Sequence, residues 1–243
     1  MMWLRKSIIF TCFFAVIASS CGRGNVSEKV EFSVSGIIHG EEVDQDEYSF
    51  VAKILQDNQT ICTAILLNND TALSAAHCFE NYLPDEISNG STTRQIAEII
   101  TNPEFDYSLD NYSDNDIAII KLESGDQFNV SKYPKITALK KQRSTFLVVG
   151  HGKDENNITA LRTKTIKEVP IKRRCYKNTK KIITTNTAIY GADSGGALLT
   201  KNDLGESLNL VGISSAYYKG DFCRANSIFV NLADHLSWIE KFI

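Results

Sequence analysis

A serine set in a glycine-flanked turn, Gly191-Ala192-Asp193-Ser194-Gly195-Gly196, runs directly into the apolar stretch Ala197-Leu198-Leu199. A serine hydroxyl is a weak nucleophile, so covalent chemistry at Ser194 needs a histidine base and a carboxylate to orient it. The chain carries both in settings that suit the task. Ala75-Ala76-His77-Cys78 ends an apolar run, and Asp114-Asn115-Asp116 opens the buried stretch Ile117 to Leu122. Taken singly, each has a plainer reading: a turn serine, a packed histidine beside a cysteine, an aspartate at a strand end.

Together, in the order histidine, aspartate, serine, the three contexts resemble the chymotrypsin/trypsin family of serine endopeptidases over residues 37 to 243. The resemblance implies an all-β fold of two antiparallel six-stranded barrels with a C-terminal helix. The active site would lie in the cleft between barrels, with His77 and Asp116 from the first and Ser194 from the second. It implies that His77 is the base, that Asp116 fixes its tautomer, and that the backbone N–H groups of Ala192 and Ser194 form the oxyanion hole. Ile37, in Ile37-Ile38-His39-Gly40, resembles the new N-terminus that proteolysis frees in this family, whose buried ammonium pairs with the aspartate before the nucleophile, here Asp193. The implied partners are protein or peptide substrates and protein protease inhibitors. No cofactor and no metal are implied.

The chain departs from the family pattern in several places. Ala192 stands where glycine is usual, and its Cβ would strain a turn that favours glycine. Aligned on the motifs, the pocket base is Ala188, the walls are Ser215-Ala216-Tyr217, and Ser227 faces them. No aspartate sits at that base, so the resemblance does not imply a preference for Arg or Lys. Tyr217 stands where the family often has glycine, and either plugs the pocket or packs on the surface. Ser35-Gly36 precedes Ile37, where trypsin-like zymogens carry Arg or Lys. Two functions therefore stay open: a secreted serine endopeptidase, or a catalytically impaired homologue that binds a protein partner through the same cleft.

Cys62 and Cys78 match the family bridge that closes the histidine loop. A second family bridge is replaced at both positions, by Phe146 and Thr200, so an apolar contact would stand in for the staple. Cys175 and Cys223 have each lost the family mate, which would fall near Ile183 and at Tyr190; the reading adopted is that these two pair with each other, against two free thiols as the alternative.

Residues 1–22 read as a secretory signal peptide: Arg5-Lys6, the apolar stretch Ile8 to Ile17, then Ala18-Ser19-Ser20. Cleavage before Cys21 or after Gly22 is possible by the small residues; the second leaves an even set of cysteines, Cys62, Cys78, Cys175 and Cys223. With residues 1–22 removed about 220 residues remain, enough for a substantial core, and of these residues 23–36 read as a propeptide or linker. Asn-x-Ser/Thr occurs at Asn25, Asn58, Asn69, Asn89, Asn111, Asn129 and Asn157, where chance gives roughly three. The excess suggests a glycoprotein. The expected location is extracellular, with no membrane anchor, since no later apolar run is long enough to span a bilayer. A net charge of -3 with no dense basic cluster does not suit nucleic acid.

The elements that must position these groups are short. Phe50 to Leu55, Ile61 to Leu67, Thr71 to Ala75, Ile96 to Ile100, Ile117 to Leu122 and Phe146 to Gly152 are apolar runs divided by polar turns, which predicts antiparallel strands. Residues 124–141 read as the crossover between halves. Leu236, Ile239 and Ile243 recur at helical spacing with Asp234 as the cap, which predicts a terminal helix over Asp234 to Ile243.

Overall fold

The computed structural model describes residues 37, 40–108, 114–138, 145–153, 158–168, 182–185, 189, 191–201, 207–217 and 227–243. Outside them lie the segments 1–22 and 23–36, the sequons at Asn25, Asn111 and Asn157, the cysteines Cys175 and Cys223, and Ala188.

The first half begins with β1 (Glu41–Glu42), which pairs into the second half, and then forms β2 (Val51–Gln56) and β3 (Gln59–Leu66). Between β2 and β3 the two-residue turn Asp57-Asn58 has both φ angles positive, at 49° and 61°. Two-residue hairpins need that geometry to match strand twist, and Asp and Asn tolerate it. β4 (Thr71–Ser74), β5 (Glu86–Ser88), β6 (Thr93–Thr101) and β7 (Ala118–Leu122) complete the half. The strands close as a barrel in the order β2-β3-β4-β7-β6-β5, because β5 pairs with both β6 and β2. Ile54, Ile65, Leu73, Ile87, Ile119 and Ile120 on its strands are fully buried, with Ile54, Ile87 and Ile120 on one face by register and Ile65, Leu73 and Ile119 on the other. A small closed barrel leaves no unpaired edge and must be packed by its inward side chains.

In the second half, β8 (Lys135–Ile136), β9 (Thr145–Gly150), β10 (Arg162–Lys167), β11 (Ile182–Thr185), β12 (Ala197–Lys201), β13 (Leu208–Tyr217) and β14 (Ser227–Asn231) join β1 in an eight-stranded sheet. Its path is β1-β10-β9-β12-β13-β14-β11, with β8 laid parallel on β13. The expected all-β fold is therefore present, its first half as a closed six-stranded barrel and its second as this sheet. The expected crossover contributes β8. Phe146, Val148, Ile166, Leu198, Val211 and Phe229 make the sheet's apolar core, and Ile37 is buried with them.

Two expectations about covalent and terminal structure meet different outcomes. Cys62 and Cys78 are bridged, with their Cα atoms 6.3 Å apart. The terminal helix is shorter than predicted: a 3-10 turn at Leu232–His235 leads into α1 (Leu236–Ile239). Its cap is Asn231, whose side chain accepts from the Ala233 N–H, whereas the Asp234 carboxylate accepts from Asn231 Nδ2 at 2.8 Å. Ile239 is fully buried but Ile243 is 58 % exposed, so the apolar stripe ends one turn early and Phe242 packs against the core in its place. Among the described residues no helix is long and apolar enough to cross a membrane.

Candidate active site

His77 sits in a 3-10 turn, Ala76–Phe79, that follows β4 and is tied to β3 by the Cys62–Cys78 bridge. The first N–H groups of a helical turn lack partners within it. Asp116, just before β7, supplies one: its Oδ1 accepts from the His77 backbone N–H at 2.9 Å. Its Oδ2 lies 2.7 Å from His77 Nδ1, and the opposite ring nitrogen, Nε2, lies 2.9 Å from Ser194 Oγ. Asp116 is fully buried, and a buried carboxylate is stable only when its oxygens are well supplied with donors. A third donor is the Ser215 hydroxyl, which also reaches Oδ2. With Nδ1 carrying the proton toward Asp116, the lone pair of Nε2 faces the serine hydroxyl. That line of contacts can draw a proton from Ser194.

The bulge in β13 explains Ser215. Ser214 pairs with Phe229 and Ala216 with Ile228, so Ser215 is the extra residue, and bulges next to functional sites re-aim a side chain. Ser215, expected in the pocket wall, gives its hydroxyl to Asp116, 99 residues away in sequence. Sequence reasoning had missed this. The signal was present as Ser214-Ser215, two hydroxyls inside the apolar strand Leu210 to Ala216, because buried hydroxyls need partners. Ser214 is used as well. Its Oγ donates to the Asp193 carbonyl and accepts from the Gly196 N–H at 3.0 Å.

The loop carrying Ser194 is thus held from β13, and it is also held from the first barrel. Thr63 N–H donates to the Ser194 carbonyl at 2.9 Å. Gly195 has φ +83°, and a Cβ there would stand 2.2 Å from both Ser74 Oγ and the Thr63 carbonyl, so only glycine lets the loop approach the barrel this closely. Ala192 has φ +63°, and the strain expected from a non-glycine residue at that position is therefore present, of order 1–2 kcal/mol.

Asp193 and Ile37 are each 1 % exposed. Asp193 Oδ1 accepts from the Gly152 N–H at 2.9 Å. Neighbouring His151 is buried, its Nε2 faces the Val51 carbonyl at 3.3 Å, and burial first, then the charge of Lys53, pushes its pKa down to about 4. Of the expected pocket residues, Ala216 and Ser227 are buried, and Ser227 Oγ accepts from the Ile189 N–H at 3.3 Å. Tyr217 pairs with Ser227 in the sheet. Glu80 and residues 103–108 line a groove; Tyr107 there has its phenol pKa raised by burial and by the charges of Asp116 and Glu80.

The ligand atoms of Cys62, His77 and Cys78 lie within 4.8 Å of one another. Both sulfurs are consumed in the bridge, so the group has no thiolate to offer a metal. Among the sequons, Asn58 and Asn129 are exposed and Asn69 is half-buried. Asn89 is 1 % exposed, its Nδ2 donates to the Ser49 carbonyl, and its Oδ1 accepts from Ser91 and Thr92. Phe146, one of the two residues in place of the missing bridge, is 1 % exposed, and the β9–β12 ladder ends at Leu147↔Leu199, next to Phe146 and Thr200.

Comparison with known proteins gives the same frame. The family model described as Trypsin matches residues 37–239. Human transmembrane protease serine 11A is 25 % identical over 255 residues, covering 93 % of this chain and 58 % of that protein. Chicken (Gallus gallus) urokinase-type plasminogen activator is 23 % identical over 272 residues, covering 91 % of this chain and 59 % of the relative. The chain thus spans somewhat under three fifths of the length of both. Among solved structures, neuropsin, a serine protease expressed in the limbic system of mouse brain, superposes with a TM-score of 0.66 at 21 % identity, covering 84 % of this chain and 99 % of the other. At that identity the superposition speaks for the fold alone. With a family match across residues 37–239, the chain belongs to the trypsin family of serine proteases.

Proposed function

We propose that this chain is a secreted serine endopeptidase that cleaves peptide bonds through an acyl-enzyme on Ser194. The observation that carries the reading is the unbroken line Asp116 Oδ2, His77 Nδ1, His77 Nε2, Ser194 Oγ, with contacts of 2.7 and 2.9 Å at its ends. Ser194 Oγ attacks the substrate carbonyl carbon while its proton passes to His77 Nε2, and Asp116 stabilises the imidazolium that results. The carbonyl oxygen, now an anion, is held by the Ala192 and Ser194 N–H groups. His77 returns the proton to the leaving amine, and the acyl-enzyme is then opened by water by the same steps in reverse. In the active protein Ile37, freed by cleavage after Gly36, supplies an ammonium to Asp193; the burial of both residues supports this pairing. Glycans are assigned to Asn58 and Asn129 in the folded domain.

One observation favours a second reading, that of an impaired homologue binding a protein partner through the cleft. Ala192 donates half of the oxyanion hole from a left-handed conformation that alanine disfavours. A fluorophosphonate probe separates the two. Stoichiometric labelling of protein beginning at Ile37, absent in Ser194→Ala, is expected for the enzyme. Lack of labelling in the same material would reject it.

A further inference from the structure

We infer that Thr63, on β3 of the first barrel, is the positioning residue for the oxyanion loop of the second half, holding Ala192 in its left-handed conformation. The inference rests on the reading of Ser194 as nucleophile, but the geometry behind it stands without that reading. Thr63 is fully buried. Its Oγ1 lies 2.8 Å from the Ala192 carbonyl and 3.0 Å from the His151 backbone nitrogen, and its own N–H donates to the Ser194 carbonyl at 2.9 Å. Its carbonyl in turn accepts from Ser74 Oγ at 2.7 Å, which fixes the residue to β4.

The direction of each bond is forced. A backbone N–H can only donate, so the His151 N–H occupies a lone pair of the Thr63 hydroxyl, and the single hydroxyl proton is left for the Ala192 carbonyl. Thr63 therefore grips the peptide after Ala192 and the peptide after Ser194, on both sides of Asp193. The two N–H groups proposed for the oxyanion hole belong to Ala192 and Ser194 themselves. With its following peptide pinned, Ala192 cannot relax toward the right-handed or extended conformations that suit a residue with a Cβ. Relaxation would turn its N–H away. Glycine at this position would need no such grip. The hydroxyl of residue 63 and the methyl of residue 192 are thus two halves of one arrangement.

The experiment is a double-mutant cycle on protein beginning at Ile37, preceded by fluorophosphonate labelling of the wild type. Thr63→Val keeps the shape and removes the hydroxyl. With a peptide ester substrate, kcat is expected to fall roughly 30- to 100-fold with KM within about threefold, a fraction of what losing one oxyanion donor costs. Thr63→Ser should recover most of the loss. In an Ala192→Gly background the same Thr63→Val change should cost less than about fivefold. A penalty as large in the glycine background as in the parent, or a drop in Tm with kcat unchanged, overturns the inference. If the wild type is not labelled, the proposed function fails, and Thr63 is then judged by the three-bond N–H/Hα coupling of Ala192, which reports φ. A change in that coupling in Thr63→Val supports the positioning role, and an unchanged value rejects it.

Discussion

The half that supplies His77 and Asp116 is a closed barrel, covalently stapled next to the histidine, with seven isoleucine and leucine side chains fully buried along its strands. The half that supplies Ser194 is a sheet with Phe146 in its apolar core, and the loop that bears Ser194 carries a strained alanine. The difference lies in where rigidity comes from. His77 and Asp116 are held mainly by the barrel that bears them, with one further donor to Asp116 from Ser215 of the second half. Ser194 is held largely by groups that belong to other elements: Thr63 from β3, Ser214 from β13, and the close seat against Ser74. A loop that cannot hold itself depends on the docking of the two halves, so the site exists only in the assembled fold.

The largest test of this division is chemical. Asp116→Asn should leave the fold and Tm nearly unchanged while turnover falls roughly 10⁴-fold, as in the Ser-His-Asp template, because the imidazole is then held in the wrong tautomer. A loss under about tenfold in steady-state assays would remove Asp116 from the mechanism.

Next in size is the staple. The bridged cysteines are 16 residues apart, and releasing a loop of that length by replacing Cys62 and Cys78 with Ala should lower stability by roughly 3 kcal/mol. Urea unfolding measures this. If rigidity at His77 comes from the first barrel, turnover at 25 °C should fall with it; unchanged turnover would show that Asp116 alone holds the histidine.

His151 lies at the seam, and its effect depends on pH. Its pKa falls from 6.5 to about 4 on folding, so between those values the unfolded chain binds a proton that the folded chain refuses. Stability is fully present above about pH 6.5 and is lost as pH falls toward 4, by up to roughly 3 kcal/mol in total. Urea midpoints from pH 7 to 4 should show this slope, and His151→Phe should flatten it. An equal slope in that variant would place the acid sensitivity on other groups.

The smallest effect concerns the strained turn. Ala192→Gly should raise stability by no more than about 1 kcal/mol, the relief of left-handed strain being partly offset by the greater freedom of glycine in the unfolded chain. It should also raise turnover several-fold. Lower turnover in the glycine variant would mean that the methyl group contributes to the site.

The triad candidates were legible in the chain itself, because each lies in a short run whose residue types suit one task, whereas the Cys62–Cys78 bridge was legible only through the resemblance to the family. Also legible in the chain were β2, β3, β4, β6 and β7, since apolar runs of β-forming residues divided by polar turns leave the backbone few other ways to pair, whereas β5, which closes the barrel, had no such run to mark it. The terminal helix was legible only in outline; its cap and length turn on which side chains reach the core, and Asn231 outcompeted Asp234 locally. Tertiary structure alone decided the rest. Ser215 reaches Asp116 across 99 positions because a bulge turns it, Asn89 is buried with its Nδ2 on the Ser49 carbonyl 40 positions away, and Thr63 meets Ala192 across 129 positions because two halves dock. A hydrogen bond is set by distance in space, and a sequence records only distance along the chain.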